Sequence, residues 1–440
     1  MATPLDSLHL SDLHRRAAEL GVERYRMLPR EELIAAILER DPDATADAAD
    51  AGRAEPEPES RAERRPRRRD RGGRREGGDG EEAAEDEQGE PIVGVLDITP
   101  RGHGFIRQGG LESGEEDVYV SPSQIRRCEM QRGDEVAGPA RRPRRGERYP
   151  ALIHVDTING VAPGEDRPRL ADATPVRPSR RIELSPPAGS SPETAVLLRS
   201  IDLLLPLARG QRVLVDSRPG SGRTTLLRAL ARALAGADVE LVVLLIDERP
   251  EEVEAWREVA PGADLAVATA EMRSGEQLRL VELAFGRASR RAEAGADVVL
   301  LVDSISRIAV AADDPGRVKP IFGAGRETAE EGIGSLTVVA TTLGDRGEDE
   351  GAVERSLETT ENVLIVLDPD LAARGIYPAI DFTASRIAGE ENLRGPDELE
   401  AVRRLRTELA ALGPEAAASE VRRVIDATPD NAAAIASISA

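Results

Sequence analysis

Cysteine, lysine and aromatic residues are nearly missing from this 440-residue chain. The one cysteine, Cys128, cannot close an internal disulfide, which excludes a disulfide-stapled secreted scaffold and fits a reducing compartment. Aromatics make up 2% of the residues, so the cores must be aliphatic and a local cluster of rings carries information. The longest apolar runs, Val242–Ile246 and Val298–Val302, fall far short of the ~20 residues that span a bilayer. No apolar leader follows the first methionine. These absences predict a cytoplasmic protein with no membrane partner. Of 59 basic residues one is lysine, Lys319, and the rest are arginine, so arginine is expected even where lysine is the usual choice.

The net charge of −22 would oppose nucleic acid if it were spread evenly. Arginines instead crowd residues 61–75 and 141–148, while acids dominate 76–90 and the C-terminal half. A local basic patch, rather than net charge, is what a phosphate backbone responds to. The chain divides by pattern. Residues 1–41 space Leu8, Leu10, Leu13, Ala17 and Leu20, then Leu33, Ile34, Ile37 and Leu38, as short helices, predicting a small helical subdomain. Residues 42–90 are almost entirely Ala, Gly, Pro, Arg, Asp and Glu; they bury too little to offset ordering entropy and predict a disordered charged linker. Residues 91–160 switch to short alternating strands (IVGVLDIT, GHGFIR, DVYVS, DEVAG, ALIHVDTI) with glycine-rich turns, the pattern of an OB or cold-shock-like β-barrel. A Pro- and Arg-rich connector fills 161–195. From 196 to 440, near-continuous apolar strands (RVLVD, ELVVLLID, LAVATA, VVLLVD, LTVVATT, NVLIVLD) alternate with helical segments, predicting a mostly parallel α/β sheet covered on both faces, with helices from 396 onward.

Three of the eight Phe and Tyr residues, Phe105, Tyr119 and Tyr149, fall in the barrel segment. Alternation in GHGFIR puts His103 and Phe105 on one face of a strand. Rings exposed on such a sheet stack unpaired bases at roughly 1–3 kcal/mol each, and the arginines at 141–148 can hold the backbone, which makes a single-stranded nucleic acid the expected partner. The competing reading is that the rings fill the barrel core.

After the strand RVLVD comes the turn Ser217-Arg218-Pro219-Gly220-Ser221-Gly222, then Arg223, Thr224 and Thr225 opening a helical run. A strand, glycine turn and helix in this order aim backbone N–H groups at an anion. Thr224 stands where a hydroxyl can ligate Mg2+. Ser217 and Arg223 depart from the GxxxxGK[ST] pattern. Further on, LLIDERPEEV ends a strand in Asp247 and Glu248, an acid able to activate water, and VVLLVDSISR ends another in Asp303, a partner for Mg2+. Either acid alone could cap a helix; in sequence after a P-loop they predict an ATP and Mg2+ site.

LLIDERPEEV, DVYVSPSQIRR, GERYPALI, GSLTVVATTL and YPAIDF closely resemble segments of the bacterial Rho transcription termination factors, and the likeness runs over the whole chain except the linker. The resemblance implies a RecA-like P-loop ATPase domain in a homohexameric ring that binds nascent RNA in its barrels, threads it and displaces RNA polymerase. It assigns Phe105, Tyr119, Glu147, Arg148 and Tyr149 to RNA, with His103 where an aromatic is usual. Gly220, Gly222, Arg223 and Thr224 match the P-loop, Glu248 the catalytic glutamate, Asp303 the Walker B acid, and Tyr377 the residue that packs on adenine. Departures cluster at the chemistry. Arg223 replaces a lysine and is bulkier and planar. Ala388 stands at the arginine-finger position, with Arg386 two residues before it; losing such a finger costs ~10³-fold or more in rate. The stretch Ile308–Phe322 is shorter than the family's pore loop, and residues 344–362 are acidic where a second pore loop carries lysine and glycines, which would repel RNA. Two readings follow: an RNA-dependent ATPase that terminates transcription, or a Rho-like paralogue that binds RNA and nucleotide, hydrolyses poorly and regulates. A rotary-type ATPase subunit would leave the barrel unexplained.

Overall fold

The computed structural model describes residues 89–344 and 348–439, together with Leu20, Ile34, Ala36 and Ile37. Apart from those four residues, the expected helical subdomain over 1–41 lies outside the described residues, as does nearly all of the charged linker over 42–90.

Five strands close the barrel: β1 (Glu90–Ile98), β2 (Gly104–Arg107), β3 (Val118–Val120), β4 (Glu135–Arg141) and β5 (Ala151–Leu152). β1 pairs antiparallel with both β2 and β4, β2 with β3, and β5 joins β3 to β4, so the ring runs β1-β2-β3-β5-β4 and returns to β1. Closure removes the unpaired edges that an open sheet of short strands would expose. The expected strand ALIHVDTI is two strands, β5 and β6 (Thr157–Ile158). Against β4, Leu152 faces Ala140 and Thr157 faces Ala137, so five steps on one strand meet three on the other. Those extra residues form a bulge that bends the chain around the barrel. Between β3 and β4, helix α1 (Pro122–Arg127) opens on a capping box: Ser121 Oγ accepts from the Gln124 N–H, and Gln124 Oε1 accepts from the Ser121 N–H at 3.0 Å. Leu96, Ile106, Val118, Val120, Ile125 and Val136 fill the interior.

After the short strand β7 (Pro175–Val176) and helix α2 (Pro192–Leu204), the chain alternates strands and helices. The elements are β8 (Arg212–Asp216), α3 (Arg223–Ala235), β9 (Glu240–Glu248), α4 (Pro250–Val259), β10 (Asp264–Thr269), α5 (Ser274–Glu293), β11 (Asp297–Asp303) and α6 (Ile305–Ala312). β12 (Glu327–Thr328) pairs back with β7, and then come β13 (Ser335–Thr341), α7 (Glu348–Leu357), β14 (Val363–Val366) and β15 (Arg386–Ile387). The tail forms α8 (Pro396–Ala410), α9 (Pro414–Asp426) and α10 (Asn431–Ser439). The sheet order is β10-β9-β11-β13-β8-β14-β15, parallel except at the β15 edge. Its strands are apolar throughout because one cluster of side chains from α2, α3 and the tail covers one face, and another from α5 and α6 covers the other.

The barrel and this sheet belong to one compact unit. They meet along one face of α5, where Arg279, Glu282, Gly286, Arg287 and Arg290 recur at helical spacing. Arg279 Nε donates to Asp97 at 2.9 Å, Arg132 pairs with Glu282, and Arg287 with Glu135 at 3.0 Å. Between these, Gly286 meets Gly133 so closely that a Cβ on Gly133 would stand 2.2 Å from the Gly286 backbone. Asp97 is 2% exposed and also accepts from Arg107 at 2.5 Å. Burial pushes its carboxyl up, but hydrogen bonds from Arg279 and Arg107 outweigh burial and hold it below the usual range. A carboxyl depressed by folding stabilises the fold above its unfolded pKa and loses that contribution as pH falls through the folded value. Asp97→Asn, which leaves buried guanidinium groups without their counter-charge, should destabilise the unit by about 3–5 kcal/mol in urea unfolding. The difference between wild type and variant should stay constant from neutral pH to about 4 and shrink only below that. A gap already closing between pH 7 and 5 would contradict this account.

Candidate nucleotide and nucleic-acid sites

The turn between β8 and α3 is made by glycines. Gly220 has φ +82°, and Gly222, the residue that caps α3, has φ +90°; this is the left-handed region that side chains resist. A Cβ on either would meet nothing within 4 Å, so the space beside the turn is open. The first turn of α3, holding Arg223, Thr224 and Thr225, presents N–H groups that have no acceptor within the helix. Ser217 needs no glycine conformation; it is buried, and its Oγ donates to the Thr342 carbonyl at 2.5 Å, tying the loop to the end of β13. Ser221 Oγ closes the turn on the Arg218 carbonyl at 2.7 Å. Gly220, Ser221, Gly222 and Thr225 then form one wall of a 260 Å³ cavity, with Leu367, Ile376, Tyr377 and Pro378 opposite. The Tyr377 phenol is pushed up by that burial. Tyr377 is thus brought to the loop from more than 150 positions along the chain.

β9 and β11 are neighbours, and Glu248 and Asp303 sit at their C-terminal ends, on the same sheet edge as the loop. Parallel sheets gather ligand-binding groups at that edge. Asp303 is 3% exposed; Oδ1 accepts from Thr341 Oγ1 at 3.0 Å and lies 2.9 Å from Arg223 Nε, while Oδ2 is buried without a partner. Burial raises the Asp303 carboxyl, against the charge of Arg223 and the Thr341 hydroxyl. Burial also raises Glu248, reinforced by the charges of Asp303 and Glu252 and opposed by the Arg249 N–H at 2.9 Å. The open glycine turn, helix terminus and apolar cavity with its ring fit a nucleoside polyphosphate. The orphaned Asp303 oxygen and the Thr224 hydroxyl would suit a divalent cation, but only once Arg223, 2.9 Å from Asp303 Oδ1, gives way.

Several further residues lie near this edge. Arg307 on α6 pairs with Asp247, whose φ is +58°. Its place one helical turn after Asp303 is visible in DSISR and offered a clue. Thr341 and Thr342 offered none, because nothing local says that β13 lies between β8 and β11. Arg228, one turn along α3, pairs with Glu252 and lies 5.6 Å over the Trp256 ring.

The departures have structural counterparts. Arg386 on β15 pairs with Glu361 at 2.6 Å, and the Ala388 N–H donates to the Asn362 carbonyl at 2.7 Å. The stretch Ile308–Phe322 runs from α6 through one 3-10 turn (Pro315–Val318) into a short helix (Lys319–Gly323), with no long excursion. Within it, Arg317 pairs with Glu282 on α5. The acidic stretch 344–362 includes α7, but residues 345–347 lie outside the described residues.

On the barrel, the rings stand outside the core. Phe105 faces Tyr119 across β2 and β3, with centroids 6.0 Å apart; Tyr149 lies 5.1 Å from Phe105, and His103 5.6 Å from Phe105 and 5.8 Å from Tyr119. All four are partly exposed and absent from the interior cluster, which rules out the core reading. Beside them is a 650 Å³ hollow lined by Tyr119, Arg127, Arg141, Glu147, Arg148 and Tyr149. Arg148 lies 5.2 Å over the Tyr149 ring. Glu147 accepts two hydrogen bonds from Arg141, at 2.6 and 2.9 Å, and one from the Arg144 N–H, which hold its carboxyl at about 2. It is an ionised acceptor at any physiological pH. Arg141 belongs to the arginine run 141–148 already expected to hold a backbone, whereas Arg127 carried no such signal, because its place depends on α1 and β4 converging.

Comparison with known proteins matches the same regions. Residues 92–164 match the model of the Rho termination factor RNA-binding domain, residues 4–44 that of the Rho N-terminal domain, and residues 198–317 the nucleotide-binding domain of the ATP synthase alpha/beta family. Transcription termination factor Rho of Mycobacterium leprae is 36% identical over 80% of this chain and 62% of its own length. The Streptomyces lividans protein is 37% identical over 78% and 51%. The chain therefore spans about half to three-fifths of those two relatives. A solved ATPase of the type III secretion system superposes with a TM-score of 0.50 at 21% identity, covering 65% of this chain and 94% of that one, which is a likeness of fold alone. The Rhodopirellula baltica Rho factor is 37% identical over 78% of this chain, which covers 71% of it, and on that measure the chain belongs to the Rho transcription termination factor family.

Proposed function

We propose that this chain is an RNA-dependent ATPase of the Rho type, acting in the cytoplasm as a homohexameric ring that translocates single-stranded RNA and releases transcripts from RNA polymerase. One observation carries the reading: a single compact unit holds both a solvent-facing ring cluster beside an arginine-lined hollow and a glycine turn flanked by Glu248 and Asp303. On the barrel, His103, Phe105, Tyr119 and Tyr149 stack bases. Ionised Glu147 accepts from a base amine, and Arg148 holds the backbone. On the sheet, backbone groups from Arg218 to Gly222, with Thr225, surround the phosphates of ATP, Arg223 supplies charge, and Tyr377 faces the base. Thr224 would hold a Mg2+ arriving with ATP, Asp303 would join it where Arg223 gives way, and Glu248 takes the proton of the attacking water. Bound ATP with Mg2+ supplies the phosphoanhydride whose hydrolysis drives the cycle.

A second reading, a Rho-type protein that binds both ligands but turns over slowly, is favoured by the pairing of Arg223 with Asp303 and of Arg386 with Glu361 in the same chain. Turnover with and without poly(C) RNA separates the two. The first reading expects RNA-stimulated hydrolysis that falls roughly 10²–10⁴-fold in Glu248→Ala. It also expects activity to fade on acidification above the ordinary glutamate range of about 4.3, because burial raises the base that must stay ionised. A wild-type rate equal to that of Glu248→Ala would leave only the second reading.

The ring cluster makes a separate prediction. Phe105→Ala and Tyr119→Ala should each weaken a cytidine-rich oligonucleotide about five- to 150-fold in a fluorescence anisotropy titration, equivalent to ~1–3 kcal/mol. Full affinity in both variants would remove the barrel face from the proposal.

A further inference from the structure

Resting on the nucleotide-site reading above, we infer that Arg223 takes over at Asp303 the charge-neutralising part that a divalent cation would play, so that this P-loop binds a nucleoside diphosphate without Mg2+. Asp303 lies almost wholly out of water, and a carboxylate there needs a counter-charge. The charged groups facing it are Arg223, Arg228 and Glu248. Arg228 is committed to Glu252, and Glu248 repels, so Arg223 is the cation that serves Asp303. The Thr341 hydroxyl adds a hydrogen bond but no charge.

The manner of the contact matters. Arg223 approaches through Nε, on the flank of its guanidinium, 2.9 Å from Asp303 Oδ1. Neither Arg223 Nε nor Asp303 Oδ2 has a well-directed hydrogen-bond partner, so charge attraction rather than geometry holds the pair. A guanidinium carries five N–H donors in a rigid fork. Its terminal nitrogens have no hydrogen-bond partner among the described residues, and Arg223 is the first residue of α3, directly after the open glycine turn. A planar fork in this place holds the carboxylate with one edge and a phosphate with the other. The compact ammonium of lysine would have to choose between them, leaving the second anion to a metal. Mg2+ dehydrates reluctantly and demands a regular octahedral shell, so it is poorly placed to enter beside a guanidinium already seated on Oδ1.

The test is equilibrium binding of a fluorescent ADP analogue to the full chain, once with EDTA and once with excess Mg2+. The wild type should bind with affinities that agree within about threefold in the two conditions, whereas Arg223→Lys should gain about tenfold or more from Mg2+. A wild-type gain of about tenfold or more overturns the inference and leaves the nucleotide site standing, and it is read without any variant. A ratio near one in both proteins also overturns it, because Arg223 would then not be the cause. Failure to bind the analogue under either condition removes the nucleotide-site reading itself.

Discussion

The buried carboxylate of Asp97 joins the two halves of the described structure. It leaves water between Arg107, from the barrel's own β2, and Arg279, from a helix of the sheet domain, with Arg132 3.5 Å away. Cations from both sides are needed to keep so buried an acid ionised, and each alone would leave a desolvated charge poorly matched. The contact therefore fixes orientation as well as adhesion. The glycine pair at Gly133 and Gly286 sharpens this, because backbones can touch there only while neither carries a side chain. A patch built from ion pairs around a backbone contact has one good register and few near alternatives.

That register places the ring cluster with respect to the sheet edge. β2 carries Phe105 and Arg107 on the same outer face, two residues apart on one short strand; the ring stays partly exposed while Arg107 is covered by its carboxylate partners, and Arg107 lies 5.7 Å from the Phe105 ring. The helix that receives Arg107's carboxylate partner, α5, runs directly into β11 and so into Asp303. Glu282 on that helix also holds both Arg132 of the barrel and Arg317 of the turn after α6. The barrel, the acid-bearing strand and the shortened segment beyond it thus share one rigid helix. For the proposed coupling of RNA occupancy to the phosphate site, this shared helix offers a physical connection.

Much of this could be read from the chain before folding. RVLVD, ELVVLLID and VVLLVD are apolar without alternation because both faces of the sheet are covered, and each became a strand with its acidic end at the edge. The rings of Phe105 and Tyr119 alternate with Ile106, Val118 and Val120, so their outward side was implied by the inward side of their neighbours. ALIHVDTI misled because alternation survives a bulge, whereas the pairing register that breaks it belongs to the partner strand. Thr341, Arg127 and the pairing of Arg386 with Glu361 were hidden for the same reason: each depends on which distant element lies alongside.

The scarcity of lysine connects the junction to the phosphate site. With one lysine in the chain, every cation in these buried pairs is arginine: Arg107 at Asp97, Arg287 at Asp264, and Arg394, whose side chain has no exposure, at Glu390. Arginine suits these places, since it is weakly hydrated, never loses its proton and presents donors on more than one edge. Those same properties act differently in the glycine turn. The proposed hydrolysis asks for a cation that can leave the acid and follow a phosphate, whereas Arg223 stands 2.9 Å from Asp303 Oδ1. One compositional habit therefore strengthens the scaffold and changes the chemistry it supports.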